Sequence, residues 1–150
     1  MINNKMIHHM ESLRSNLPPD SLEASLVNWI YLGRFVGYRG IKWCQTSMKK
    51  YEKILHPNWN GPASYAFILD DTEFVNHDKK PVDDLTGLTA DDILYFKLRF
   101  KKQKNDQNFE IIPYFKDLVN PKFCSVNATF CIVQRSQRLD IPTEEPLAVF

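Results

Sequence analysis

The stretch 93–112, ILYFKLRFKKQKNDQNFEII, constrains the fold more than any other. A strand packed on one face needs apolar side chains at every second position. Leu94, Phe96, Leu98 and Phe100 meet that need, and Tyr95, Lys97, Arg99 and Lys101 alternate with them. One face is apolar and the other mostly basic. The alternation breaks at Lys104-Asn105-Asp106, a cluster suited to a turn, and resumes over 109–112 until Pro113 stops it. The pattern predicts a β-hairpin with Lys104 at its bend. Between positions 97 and 104 the basic residues Lys97, Arg99, Lys101, Lys102 and Lys104 stand without an acidic one. Because antiparallel sheets often leave one charged face in water, this run alone does not name a partner.

The chain has 150 residues, the size of one domain, which buries about 68–70% of its unfolded surface. Hydrophobic residues make up 43% and aromatic residues 13%, enough for a packed core rather than a disordered chain. A net charge of +1 excludes a globally basic nucleic-acid coat, so any such contact must come from local patches. Cys44, Cys124 and Cys131 are odd in number and form no C-x-x-C pair. They favour a reducing compartment, nuclear or cytoplasmic, over a disulfide scaffold or a zinc finger. No apolar run is long enough to span a membrane.

Residues 1–19 read as a polar leader closing on Pro18-Pro19, with His8 and His9 exposed and no convincing metal-ligand spacing. Asp20 is the expected helix N-cap, with Glu23 completing a capping box. Leu22, Leu26, Trp29, Ile30 and Val36 follow at helical spacing, interrupted by Gly33 and Gly37. Gly37-Tyr38-Arg39-Gly40 reads as a turn, and Ile41, Cys44, Met48 and Tyr51 as the inner face of a second helix. A loop at 56–62, a strand at 65–69 and a second short strand at 72–75 come next. The stretch 76–92 is expected to be a polar loop. After the hairpin, 114–119 reads as a connector. Asn120 as N-cap and Pro121 at the first helical position then announce a last helix, with Phe123, Val126, Phe130 and Val133 inward. Arg135 and Arg138 suit its C-terminal dipole. The closing LAVF is strand-like, as though the domain continued.

Arg39 is the second feature of interest. Its glycine flanks let a backbone approach closely, and a guanidinium there can fork onto two phosphate oxygens. The order helix, arginine turn, helix, short β segment, basic hairpin, helix resembles the catalytic domain of tyrosine recombinases (integrases), especially the Crypton type of eukaryotic transposons. The segments carrying the resemblance are LGRFVGYRGIKW, LRFKKQKNDQNFEIIPY and NPKFCSVNATFCIVQRSQRL, within 20–150. It implies an α+β fold, mainly helical with a small antiparallel sheet. It also implies a double-stranded DNA partner, oligomerisation on DNA in the complete protein, and DNA breakage and rejoining through a tyrosine nucleophile without metal or cofactor. On this reading Arg39 and Lys104 are catalytic, and Lys102 is the alternative to Lys104. Lys97, Arg99, Lys101 and Lys102 would contact the DNA backbone.

The family's acidic residue three positions after the arginine is Lys42 here, no histidine follows Lys104, and Tyr114 is the only later tyrosine. The 150 residues are therefore expected to be the front part of such a domain and inactive alone. Three other readings stand beside this one. The first is a non-catalytic nucleic-acid-binding module in which the hairpin matters and Arg39 does not. The second is a metal-dependent nuclease using Asp70-Asp71 and Asp91-Asp92, pairs otherwise expected to be solvated turns. The third is a plain interaction domain.

Overall fold

The computed structural model describes residues 4–36, 66–100, 109–120, 124–143 and 145–148. The architecture is α+β: three helices and a four-stranded antiparallel sheet among the described residues. The helices are α1 (Asn4–Arg14), α2 (Leu22–Val36) and α3 (Ser125–Arg138), and the strands β1 (Thr72–Asn76), β2 (Pro81–Val82), β3 (Ile93–Phe100) and β4 (Glu110–Phe115). Sheet order is β2-β1-β3-β4, which puts the long alternating strand in the middle and β4 on an edge.

The inner face of the sheet carries Phe74, Phe96, Leu98 and Phe100, all buried. Phe96 lies fully buried between Tyr114 (ring centroids 5.1 Å apart, stacked) and Phe74 (6.1 Å). Helix α3 covers this face: its Phe130 meets Phe74 edge-on at 6.2 Å. On its other side α3 packs against α2, so it is buried on two sides, as Val126, Ala128, Phe130, Ile132 and Val133 show. At the end of the sheet Phe67 meets Phe100 edge-on at 5.5 Å, and the Leu147 N–H donates to the Phe67 carbonyl at 2.8 Å. Leu147 and Ala148, from the expected strand-like tail, join the core.

Several expectations are corrected. Leu94 was expected to point inward, but a bulge at Val75/Asn76 pairs Val75 with Tyr95 and Asn76 with Ile93. Leu94 is the extra residue, the alternation changes parity there, and Ile93 takes the core position. Pro113 does not stop β4. The Lys116 N–H donates to Leu94 O, so with the two-residue period the Pro113 nitrogen faces outward from the sheet edge. No ladder bond is lost there, and the strand continues to Phe115, into the expected connector. Residues 76–92 are not simply loop: β2 pairs with β1, and Leu85 is fully buried. Two α3 glutamines hold that segment. Gln137 Oε1 accepts from Leu85 N at 3.0 Å, and Gln134 Nε2 donates to the Leu85 and Leu88 carbonyls at 3.0 and 3.1 Å. Ile68, expected within a strand, makes an isolated bridge to Pro146, and a 3-10 turn follows at Leu69–Asp71.

The helix signals were displaced rather than absent. Ser21, not Asp20, caps α2: its hydroxyl accepts the Ala24 N–H at 3.2 Å. Asp20 instead receives the Arg138 guanidinium and, through its carbonyl, Arg135 Nε at 3.2 Å. Gly33 does not interrupt α2. Leu22 and Leu26 are exposed; Trp29 is fully buried as expected, and Ala24, Ser25, Val27, Asn28, Tyr31 and Leu32 are buried with it. The reason lies in the first nineteen residues. α1 offers Arg14 to Asn28 Oδ1 at 3.0 Å and Glu11 to the Tyr31 hydroxyl at 2.8 Å, so polar residues of α2 turn inward with partners. At the last helix, Asp117 Oδ1 accepts the N–H groups of Val119 and Asn120, both at 2.9 Å. Asn120 thus belongs to a turn, and Cys124 is the N-cap of α3. The Gly37–Gly40 turn, the second helix with its Cys44, and the 56–62 loop lie outside the described residues, as do Pro121 and Phe123.

Candidate nucleic-acid interface

Register alone builds the outer face of the sheet. Glu73, Lys97 and Pro113 form one cross-strand row. Val75, Tyr95 and Phe115 form the next, and Arg99 opposite Ile111 a third. Because the inner face is covered by α3, these side chains point the other way. Val75 is buried yet stands apart from the main core cluster, paired with Tyr95 on one side and Pro81 on the other. Phe115 is 65% exposed and Ile111 51%. The Tyr95 and Phe115 rings lie 5.1 Å apart at 41°, within the range of favourable aromatic pairs.

The two described cations of this face differ. Lys97 Nζ donates to Glu73 Oε1 at 2.6 Å, and that hydrogen bond raises the lysine pKa above its ordinary value. Its positive charge is largely matched. The Arg99 side chain is exposed, and its guanidinium makes no hydrogen bond or ion pair among the described residues. Five donors on a planar fork therefore stand open to solvent beside an apolar strip. Lys116 is used elsewhere: it holds Ala90 O at 3.0 Å and Asp91 Oδ1, fastening the turn before β3 to the end of β4.

Of the expected site residues, the structure places Lys97 and Arg99 together on the outer face of the hairpin. Arg39, Lys101, Lys102 and Lys104 lie outside the described residues. β3 and β4 pair antiparallel up to Phe100 and Glu110, and the expected bend at Lys104 lies outside the described residues. Glu73 and Phe115 were missed. Nothing in the sequence announces that β1 lies beside β3, whereas Phe115 follows from continuing the period Ile111, Pro113, Phe115 on an edge strand.

The acidic pairs do not gather. Asp71 is buried and accepts Ile68 N–H at 3.0 Å, a correction to its reading as solvated. Asp92 accepts the Thr89 N–H and hydroxyl at 2.8 and 2.9 Å, which holds its carboxyl below the usual range. Among the described residues no group of three His, Cys, Asp or Glu side chains is placed to hold a metal ion. No helix there is long and apolar enough to cross a membrane. Comparison with protein-family models, with curated proteins and with solved structures finds no match to this chain.

Proposed function

We propose that this chain binds nucleic acid through the outer face of the β3–β4 hairpin. The observation that carries the proposal is Arg99, an exposed guanidinium without a partner among the described residues, set beside Lys97 on a central strand whose other face is core. Phosphate oxygens match its donor fork, and contacts of this kind give affinity without sequence readout. With few cations involved, binding is weak and steeply dependent on salt. The test is fluorescence anisotropy over a salt series with a labelled duplex. Arg99→Gln is expected to reduce the slope of log affinity against log salt by about 0.9, the loss of one phosphate contact. An unchanged slope would remove Arg99 from the interface.

A second reading extends the first. The resemblance to tyrosine recombinases makes the hairpin part of a phosphate-gripping centre for DNA breakage and rejoining, with Arg39 and Lys104 as its catalytic cations. Element order supports it: a helix, an antiparallel hairpin with basic outer positions, and a helix with Cys124 at its N-cap position. Under this reading Arg39→Ala weakens duplex binding as Arg99→Gln does. Under the simpler module reading Arg39→Ala leaves it unchanged.

A further inference from the structure

We infer that the hairpin face takes unpaired nucleotides, with a base stacked on Phe115 and the backbone running past Arg99. This deepens, and rests on, the reading of the hairpin as a nucleic-acid interface. Duplex binding needs only cations, since the bases are hidden in the stack. This face offers more. Phe115 is two-thirds exposed, and its ring rests against Tyr95 at 5.1 Å on the neighbouring strand, a contact that favours this orientation. A ring open to solvent and supported on one side suits a planar apolar partner, and every base presents one. Ile111, on the same face and opposite Arg99, extends the apolar strip toward the cation. Same-face residues on a strand are about 6.8 Å apart, so Phe115 and Ile111 lie two such steps apart with Pro113 between them. A single strand lying along β4 would meet apolar surface throughout and the guanidinium at its end.

The adjoining edge does not favour the alternative of pairing with another strand. The outward position at the middle of β4 is Pro113, which has no N–H to give. The face, rather than the edge, is the part of β4 open to a partner. Charge complementarity decides which: Glu73, the carboxylate among the paired outer positions, is occupied by Lys97, leaving Arg99 uncompensated among the described residues.

The experiment compares a fluorescein-labelled oligothymidylate with a mixed-sequence duplex of equal length, using the whole chain and the variants Phe115→Leu, Phe115→Trp and Arg99→Gln. Phe115 is largely exposed, so these variants keep the fold, which circular dichroism checks. The single strand is expected to bind more tightly than the duplex. Phe115→Leu should lower single-strand affinity by about 5- to 150-fold at every salt concentration without altering the salt slope. Arg99→Gln should shrink that slope by about 0.7. Phe115→Trp should restore affinity, with indole emission quenched on binding. If both probes bind equally and Phe115→Leu changes neither, the stacking inference is overturned while the interface stands. Tighter duplex binding overturns it in the same way and favours the recombinase reading. If neither probe binds, the interface reading fails, and the stacking inference with it.

Discussion

Phe96 and Lys97 are neighbours in sequence whose substitution should have opposite consequences. Phe96 is fully buried on the central strand, stacked on Tyr114 and tilted against Phe74. Cutting it to alanine removes that apolar contact and leaves a cavity that the flanking rings and α3 can only partly fill. Such changes cost about 3–5 kcal/mol, a large share of the roughly 5–15 kcal/mol that holds a domain together. At about 2–4 °C per kcal/mol for a domain of this size, Phe96→Ala should lower the melting temperature by roughly 6–20 °C. Lys97 lies on the other face in an exposed ion pair with Glu73, so Lys97→Ala should leave the melting temperature unchanged and act on nucleic-acid binding alone. Thermal unfolding followed by circular dichroism reads both. A register one residue away would exchange the two faces. Equal effects, or a larger loss from Lys97→Ala, would therefore refute the assignment of inner and outer surfaces from which the site is built.

Other consequences are independent of that pair. Glu73→Gln uncouples Lys97 and removes a carboxylate from the face, so affinity for oligonucleotides should rise and the salt slope steepen; an anisotropy titration measures both. Ser21→Ala removes the cap of α2 and should cost about 1 kcal/mol, read as a lower urea midpoint with unchanged m-value. Pro113→Val restores an outward N–H at the middle of an exposed apolar edge, so self-association should appear in light scattering at high protein concentration. Burial, and then the hydrogen bond to Glu11, raise the Tyr31 phenol above its ordinary value, so folding favours its protonated form. The stability this contributes is complete below about pH 10 and is lost as pH climbs through the folded value. Tyr31→Phe should flatten that alkaline limb in denaturant titrations.

How far the sequence could be read depended on whether the deciding interaction was local. Phe96, Leu98 and Phe100 were legible as a core face because a strand's period is local, and with them Tyr95, Lys97 and Arg99 as the opposite face. Leu94 was misplaced because the bulge that shifts it is produced by pairing with β1, and no residue of β3 signals that. Pro113 read as a stop because its tolerance depends on which side of β4 is unpaired, a fact of sheet order. The α2 stripe was misread for a related reason: Asn28 and Tyr31 are poor core residues until Arg14 and Glu11 arrive from α1. Likewise Asp20 is a good cap by composition, but Arg138, more than a hundred positions away, draws its carboxylate elsewhere. At the site the basic residues were evident from charge, whereas the matching of Lys97 by Glu73 and the support of Phe115 by Tyr95 are properties of the register.

Whether nucleic acid lies on the outer face of the hairpin is read by amide chemical-shift mapping of the labelled protein titrated with oligothymidylate. Perturbations are expected to concentrate at Tyr95, Lys97, Arg99, Ile111 and Phe115, with α1 and the buried face of α3 unmoved. Saturable shifts confined to α1 and α2, with β3 and β4 silent, would contradict that placement.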